Sequence, residues 1–189
     1  MKKILILLFP IFMLANPADH LIFNRIVVTP TKGEMVEIIN PTNEAVDLSD
    51  YYLTDAVKQS AGKYYYNLPS GTDFWSNSVS DFIARFPSGL NIQGGDTLII
   101  SMHTDSLFNE QYGFQPDLSL FEDMENAIEG EGTISYGDNF NEWDLLGNSA
   151  EVLILFYWDG ISSMVQDVDY FLWGNTTHAV DKTGIQSYQ

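Results

Sequence analysis

The chain has 189 residues, with 26 acids against 8 Lys and Arg, a formal charge of −18 and no cysteine; that length fits a single domain, and that charge opposes binding to nucleic-acid phosphates or anionic lipid headgroups. A hydrophobic content of 45%, with aromatics at 14% of the chain, exceeds what a disordered acidic chain carries, so a core can be buried. Without cysteine there is no disulfide framework, no thiolate metal site and no lipid-modified anchor residue.

Residues 1–15 read as an export signal. Lys2 and Lys3 form a positive start, and Ile4 to Leu14 an apolar stretch of 11 residues, short of the roughly 20 that span a bilayer. Ala15 is a small residue suited to the cleavage position, and Asn16-Pro17-Ala18-Asp19 follows as a polar break. Cleavage there takes the formal charge from −18 to −20, because residues 1–15 contain no acid. The expected product is an exported protein, secreted, periplasmic or at the cell surface, with no transmembrane anchor. One domain is expected over residues 20–185.

Leu21 to Val28 is β-branched and apolar and predicts a first strand that ends at Thr29-Pro30. Glu34 to Asn40 has a two-residue period and predicts a second, closed by the turn Asn40-Pro41-Thr42-Asn43. Val46 to Leu48 and Tyr51 to Thr54 predict two more short strands. Lys63 to Pro69 reads as a strand and Ser70-Gly71 as a turn. Asp81 to Phe86 reads as a strand with Phe82, Ala84 and Phe86 on one face.

Gln93-Gly94-Gly95-Asp96 predicts a turn ahead of a central strand, Thr97 to Ser101. A short helix is expected from Thr104 or Asp105 to Tyr112, capped by Gly113. Residues 115–149 form a long acidic loop that either packs by Leu118, Leu120, Phe121, Ile128 and Trp143 or carries a site. Val152 to Trp158 is apolar throughout, as a strand buried on both faces would be. Asp159-Gly160 is the strongest hairpin signal, and Val165 to Trp173 returns as the last strand. Roughly eight strands and one helix give an all-β fold of two packed sheets.

Three segments carry a family likeness: Leu21 to Val28, Gly33-Glu34-Met35-Val36-Glu37-Ile38-Ile39-Asn40-Pro41-Thr42, and Ala45-Val46-Asp47-Leu48-Ser49-Asp50-Tyr51-Tyr52-Leu53-Thr54-Asp55. An apolar strand, a strand ending in Glu-x-x-Asn-Pro and a Val-Asp-Leu-Ser-x-x-x-Leu-x-Asp stretch, at these separations, resemble the lamin-tail domain. Gly94 to Ile100 is similar to that family's glycine turn and strand, and Asp167 to Gly174 to its late strand. The resemblance implies an immunoglobulin-like β-sandwich acting as a binding module without catalysis. Bacterial members are commonly exported and attached to nucleases or surface-anchoring modules. Animal lamin tails are associated with nucleic-acid and nuclear-protein contacts; here the acidic surface argues against nucleic acid. Asp181-Lys182-Thr183-Gly184-Ile185 shows no obvious closing strand, so a truncation at the C-terminus is expected. Within the motif, Asn40 is expected to bond its own turn and Asp47 to cap the loop at Ser49.

His20, His103 and His178 lie far apart in no metal-type spacing, and neither a Gly-x-Ser-x-Gly elbow nor a P-loop is present. No catalytic residue and no required cofactor are expected. From Phe86 to Asp181 there are 17 acids and no Lys or Arg, a sign that suits a divalent cation or a basic partner. Calcium is the sharper of these, with Asp138, Asn139, Asn141 and Asp144 as candidate oxygen ligands, and Asp167 with Asp169 as two carboxylates expected on one strand face. A glycan platform is the other candidate site, through Tyr65 and Trp75. The leading expectation is a protein-binding module at the cell surface. The alternatives are a calcium- or glycan-binding adhesin-like module and the accessory domain of a larger extracellular hydrolase or nuclease.

Overall fold

The computed structural model describes residues 18–55, 61–76, 78, 80–132 and 143–185; the expected export signal lies outside them. The described chain is mostly β, with strands dominating over one short α-helix, in a sandwich-like arrangement. In chain order the strands are β1 (Ile22–Val27), β2 (Met35–Ile39), β3 (Val46–Asp47), β4 (Tyr51–Thr54), β5 (Ile83–Arg85), β6 (Asn91–Ile92) and β7 (Thr97–Ser101). Helix α1 (Asp105–Tyr112) comes next, then β8 (Leu118–Ser119), β9 (Glu125–Asn126), β10 (Glu151–Tyr157) and β11 (Gln166–Trp173). One sheet has the order β1-β2-β7-β8, a second β11-β10-β4-β5-β9, and β3 pairs with β6 alone.

The main core lies between the two larger sheets. Val36, Ile38, Leu98 and Ile100 from the first meet Leu53, Ala84, Leu153 and Leu155 from the second. Alternation along β10 sends Val152, Ile154 and Phe156 the other way, into a second cluster with Tyr52, Ile83, Tyr65, Leu68 and Phe74. All five residues from Val152 to Phe156 are fully buried, as their continuous apolar run predicts. Burying each contributes on the order of 2 kcal/mol, so the outer face of the second sheet needs a cover of its own.

Part of that cover comes from a segment with a different structure from the one its sequence suggests. Lys63 to Pro69 reads as a strand, but Tyr65–Ser70 is a 3-10 helix. Its buried residues, Tyr65 and Leu68, are three apart, so a helix with three residues per turn points both at the sheet, whereas a strand would face them opposite ways.

The hairpin expected at Asp159-Gly160 also differs. β10 ends at Tyr157 and β11 begins at Gln166, so the connection is a wide loop. The Asp159 carboxylate accepts the N–H groups of Ile161 and Ser162 at 2.9 and 2.6 Å, and the Trp158 indole donates to the Ser162 carbonyl at 2.8 Å. These bonds satisfy the loop locally, where a two-residue turn would have extended the ladder. The described parts of the 115–149 segment pack against the core, contributing Leu118, Leu120, Met124, Leu145 and Leu146. β8 runs parallel to β7 and β9 lies at the sheet edge. Helix α1 opens at Thr104, whose hydroxyl accepts from Leu107 N–H, and ends at left-handed Gly113.

The Asn40 turn and the Gly94-Gly95 turn dock on each other. Asn40 N–H donates to the Asp96 carbonyl at 3.0 Å, and Gly95 N–H donates to the Asn40 carbonyl at 2.8 Å. The buried Asn40 amide donates to the carbonyls of Glu44 and Ile92, while its Oδ1 accepts from Thr42 N–H and hydroxyl. A Cβ on Gly94 would sit 2.5 Å from the Asn43 carbonyl carbon, so only glycine permits this approach. Asn40→Ala removes the amide donor to the buried Ile92 carbonyl and the acceptor for Thr42 N–H, and should lower the unfolding free energy by about 3 kcal/mol in urea titrations. Thr42→Val, which keeps the Asn40 amide and its two carbonyl partners, should cost distinctly less.

Candidate functional site

The proposed metal ligands do not converge among the described residues. Asp138, Asn139 and Asn141 lie outside them. Asp144 accepts from the Thr31 hydroxyl and, at 3.0 Å, from the Asn148 amide. Asp167 and Asp169 are not on one strand face. The register of β10 and β11 shifts between Leu155 and Phe156, which face Asp169 and Asp167, leaving Val168 as the extra residue of a β-bulge. Asp169 thereby reaches the first sheet, accepting from Phe23 N–H at 2.6 Å, while Asp167 turns to the outer layer and accepts from the Tyr65 hydroxyl and the Lys182 ammonium. Alternation predicts a shared face, and one extra residue cancels it. No group of three or more His, Cys, Asp or Glu that could hold a metal occurs among the described residues.

The proposed aromatic platform fares similarly. Tyr65 is fully buried, 5.1 Å from the ring of Phe156 and edge-on to Tyr66, so its face is not available to a sugar. Trp75 is half-buried against the same outer cluster. Its ring serves the cover of the sheet.

Burial shifts several carboxyls, and all of these lie away from the surface groove described below. The Asp55 carboxyl is held well above its ordinary value, chiefly by burial and then by the charges of Asp81 and Glu151, against a 2.7 Å bond from Phe82 N–H. Burial also raises Glu151, beside His178 at 3.1 Å. Glu34 is raised by burial too, although its Oε2 accepts from Leu145 and Leu146 N–H at 2.9 and 3.3 Å and lies 3.7 Å from His103 Nε2. These buried groups fasten the end of β4 to β5, and the start of β2 to the 145–146 segment.

A surface groove of about 510 Å³ is lined by Asp19, His20, Tyr51, Tyr157, Gln166, Asp167 and Val168. It opens where the chain enters β1 and β11 leaves its loop. β1 and β11 are not in one sheet, and the Phe23–Asp169 bond joins them along this seam. Pairing of β4 with β10 sets Tyr51 opposite Tyr157, and their rings meet edge to face with centroids 5.4 Å apart. Burial raises both phenols: for Tyr51 the Tyr157 phenol adds to it, and for Tyr157 the charges of Asp50 and Asp159. Each hydroxyl therefore keeps its proton at neutral pH. Asp19 is lowered, first by its bond with His20. Sequence reasoning missed the groove because Tyr51 and Tyr157 are brought together only by strand register; the visible signal was an aromatic at the end of each strand.

No protein-family model and no curated protein matches the chain. Among solved structures it is similar to the crystal structure of a DUF4876 family protein from Bacteroides thetaiotaomicron VPI-5482, with 15% identity and a TM-score of 0.48, over 85% of this chain and 55% of that one. The chain thus spans about half the length of that structure, and the likeness is too slight to assign a fold or a function. No helix among the described residues is long and apolar enough to cross a membrane.

The sign of the Asp55 effect follows from linkage. A carboxyl with a raised folded value holds its proton more tightly when folded, so it contributes full stability below its unfolded value and loses it as pH rises towards the folded one. Asp55→Asn removes that ionisation and keeps the acceptor for Phe82 N–H. Its melting temperature should exceed that of the parent chain near about pH 8, with the difference shrinking steadily towards about pH 4.

Proposed function

We propose that the chain is a non-catalytic, exported binding module of the lamin-tail type, with an immunoglobulin-like sandwich, that engages a protein partner at the cell surface through the Tyr51–Tyr157 groove. The groove carries this reading: it is open, lined by two half-exposed aromatics with polar neighbours, and of a size that falls within the roughly 300–1,000 Å³ of ligand clefts. A carboxyl general acid would be held protonated by its surroundings in the cleft itself. Here the raised carboxyls of Asp55, Glu34 and Glu151 line none of it.

Support for the family part of the reading comes from the meeting of two segments that resemble lamin tails. The Asn40-Pro41 turn and the Gly94-Gly95-Asp96 turn hydrogen-bond to each other across 52 residues from Asn40 to Ile92 and beyond, and Asp47 accepts from Ser49 N–H at 2.9 Å as the motif requires. Motif residues that fasten the fold, with a surface groove elsewhere, suit a scaffold whose ligand is taken at its rim.

The test is a photo-reactive benzophenone side chain placed at Gln166, on the groove wall, with a second placement at Glu110 on α1 as control. Irradiation on the surface of the producing cells should join the Gln166 probe to a discrete protein and leave the Glu110 probe unjoined. Adducts with lipid or polysaccharide alone, or equal adducts from both positions, would overturn the protein-binding reading.

A further inference from the structure

We infer that the groove between Tyr51 and Tyr157 receives an arginine side chain from a basic segment of the partner. This rests on the protein-binding reading above and deepens it. The described lining contains two phenol rings, the exposed carboxylate of Asp19 and no Lys or Arg, while the carboxylate of Asp167, also a lining residue, is taken up by Tyr65 and Lys182. The Asp19 side chain is 99% exposed, paired with His20 at 3.0 Å, and Asp167 stands on the opposite wall. Asp159 lies close enough to act on the Tyr157 phenol, as does Asp50, whose carboxylate is paired with Arg85 at 3.1 Å. An aromatic face carries negative quadrupole charge, and carboxylates around it reinforce the attraction for a cation.

The chain already satisfies the same arrangement once with a cation of its own. Lys182 binds the Asp167 carboxylate while its ammonium lies 5.7 Å from the centroid of the Tyr65 ring and 5.0 Å from that of Tyr170. Two tyrosines and one aspartate hold a lysine on the outer side of β11. On the groove side, Tyr51, Tyr157 and Asp19 repeat the combination with no Lys or Arg of the described lining between them, the one basic neighbour being His20 beside Asp19. The two cations that flank the acidic stretch are already engaged, Arg85 with Asp50 at 3.1 Å and Lys182 with Asp167.

Arginine suits the site better than lysine. A planar guanidinium can lie against a ring and still direct donors along its edge, whereas an ammonium is a point charge with a stronger hydration shell. The two phenol hydroxyls have no hydrogen-bond partner among the described residues and so remain available as acceptors for that edge. A neutral sugar gains nothing from the surrounding carboxylates, and rings that meet edge to face do not offer the continuous flat platform on which a sugar would stack.

The experiment titrates the full chain with a labelled arginine-bearing peptide and with the same peptide carrying citrulline, which keeps the shape and loses the charge. The arginine peptide should bind, and the citrulline peptide should bind about tenfold more weakly or worse. Tyr157→Leu and Asp19→Asn should each weaken binding by about threefold to tenfold, whereas Tyr157→Phe should keep most of it. Glu110→Gln is the control, because α1 packs against Thr31–Gly33, beyond the other end of β1. Melting curves establish that each variant folds; if Tyr157→Leu does not, Asp19→Asn and the citrulline peptide still decide. Equal binding of the two peptides overturns the inference because the positive charge then contributes nothing, and equal weakening by Glu110→Gln and Asp19→Asn overturns it in favour of diffuse charge. Binding of a saccharide that Tyr157→Leu abolishes, with none of the arginine peptide, overturns it in favour of a glycan site. A persistent benzophenone adduct at Gln166 without peptide binding would sink the arginine inference and leave the protein-binding reading standing.

Discussion

The structure depends on one strand that has no wet face. Val152 to Phe156 is apolar at every position and fully buried, so β10 can exist only if the sheet that holds it is covered on both sides. The first sheet covers one side. The other requires the 3-10 segment at Tyr65–Ser70, the residues around Phe74 and Trp75, and the chain near Val180, none of which forms a sheet of its own. That requirement explains why the tyrosine that looked best placed for ligand contact is buried, and why Lys182 is drawn back over Tyr65 and Tyr170. With both broad faces of the second sheet occupied, the groove lies open at the edge, where β1 passes beside β11.

A second constraint comes from the large number of acids. In a fold with short strands and long connections, many backbone N–H groups have no ladder partner, and an unpaired buried N–H is costly. The carboxylates supply the partners. Glu34 accepts from Leu145 and Leu146, Asp55 from Phe82, Asp117 from Ile99, Asp123 from Ser119, Glu122 from Asp105, and Asp169 from Phe23 and Tyr170. Most of these pairs join distant parts of the chain. An acid count that suggests cation binding is thus accounted for in large part by the backbone itself. Three further acids nearer the solvent, Asp47, Asp159 and Asp181, are held below their ordinary pKa by bonds from neighbouring N–H and hydroxyl groups. The buried ones, Glu34 and Asp55, are raised by the loss of water. The two groups pull stability in opposite directions with pH: the first loses its contribution as pH falls, the second as pH rises.

The bulge in β11 connects these two constraints. Without the extra residue, Asp167 and Asp169 would share a side, and either the seam to β1 or the clip to Tyr65 and Lys182 would lack its acceptor. With it, one acid closes the edge between the sheets and the other anchors the outer cover. Asp167 also forms part of the groove wall. The site is therefore built from residues that have structural duties, and its open components are Tyr51, Tyr157, Asp19 and Gln166.

Local chemistry was enough to read much of the fold from the sequence. The two-residue periods of Glu34 to Asn40 and Phe82 to Phe86, the apolar run at β10, the Thr104 and Gly113 caps of α1, and the Asn40 and Gly94-Gly95 turns all rest on side chains acting within a few residues of themselves, and the structure has each of them. What the sequence could not decide were the outcomes set by distant partners. Tyr65 and Leu68 become a 3-10 turn because a bare sheet face lies beneath them, and Asp159-Gly160 opens into a wide loop because Trp158 and Ser162 close it differently. Asp167 and Asp169 part company because one residue is added opposite Phe156 and Leu155. The groove belongs with these, since strand register alone sets Tyr51 against Tyr157, and register is a property of the assembled sheet.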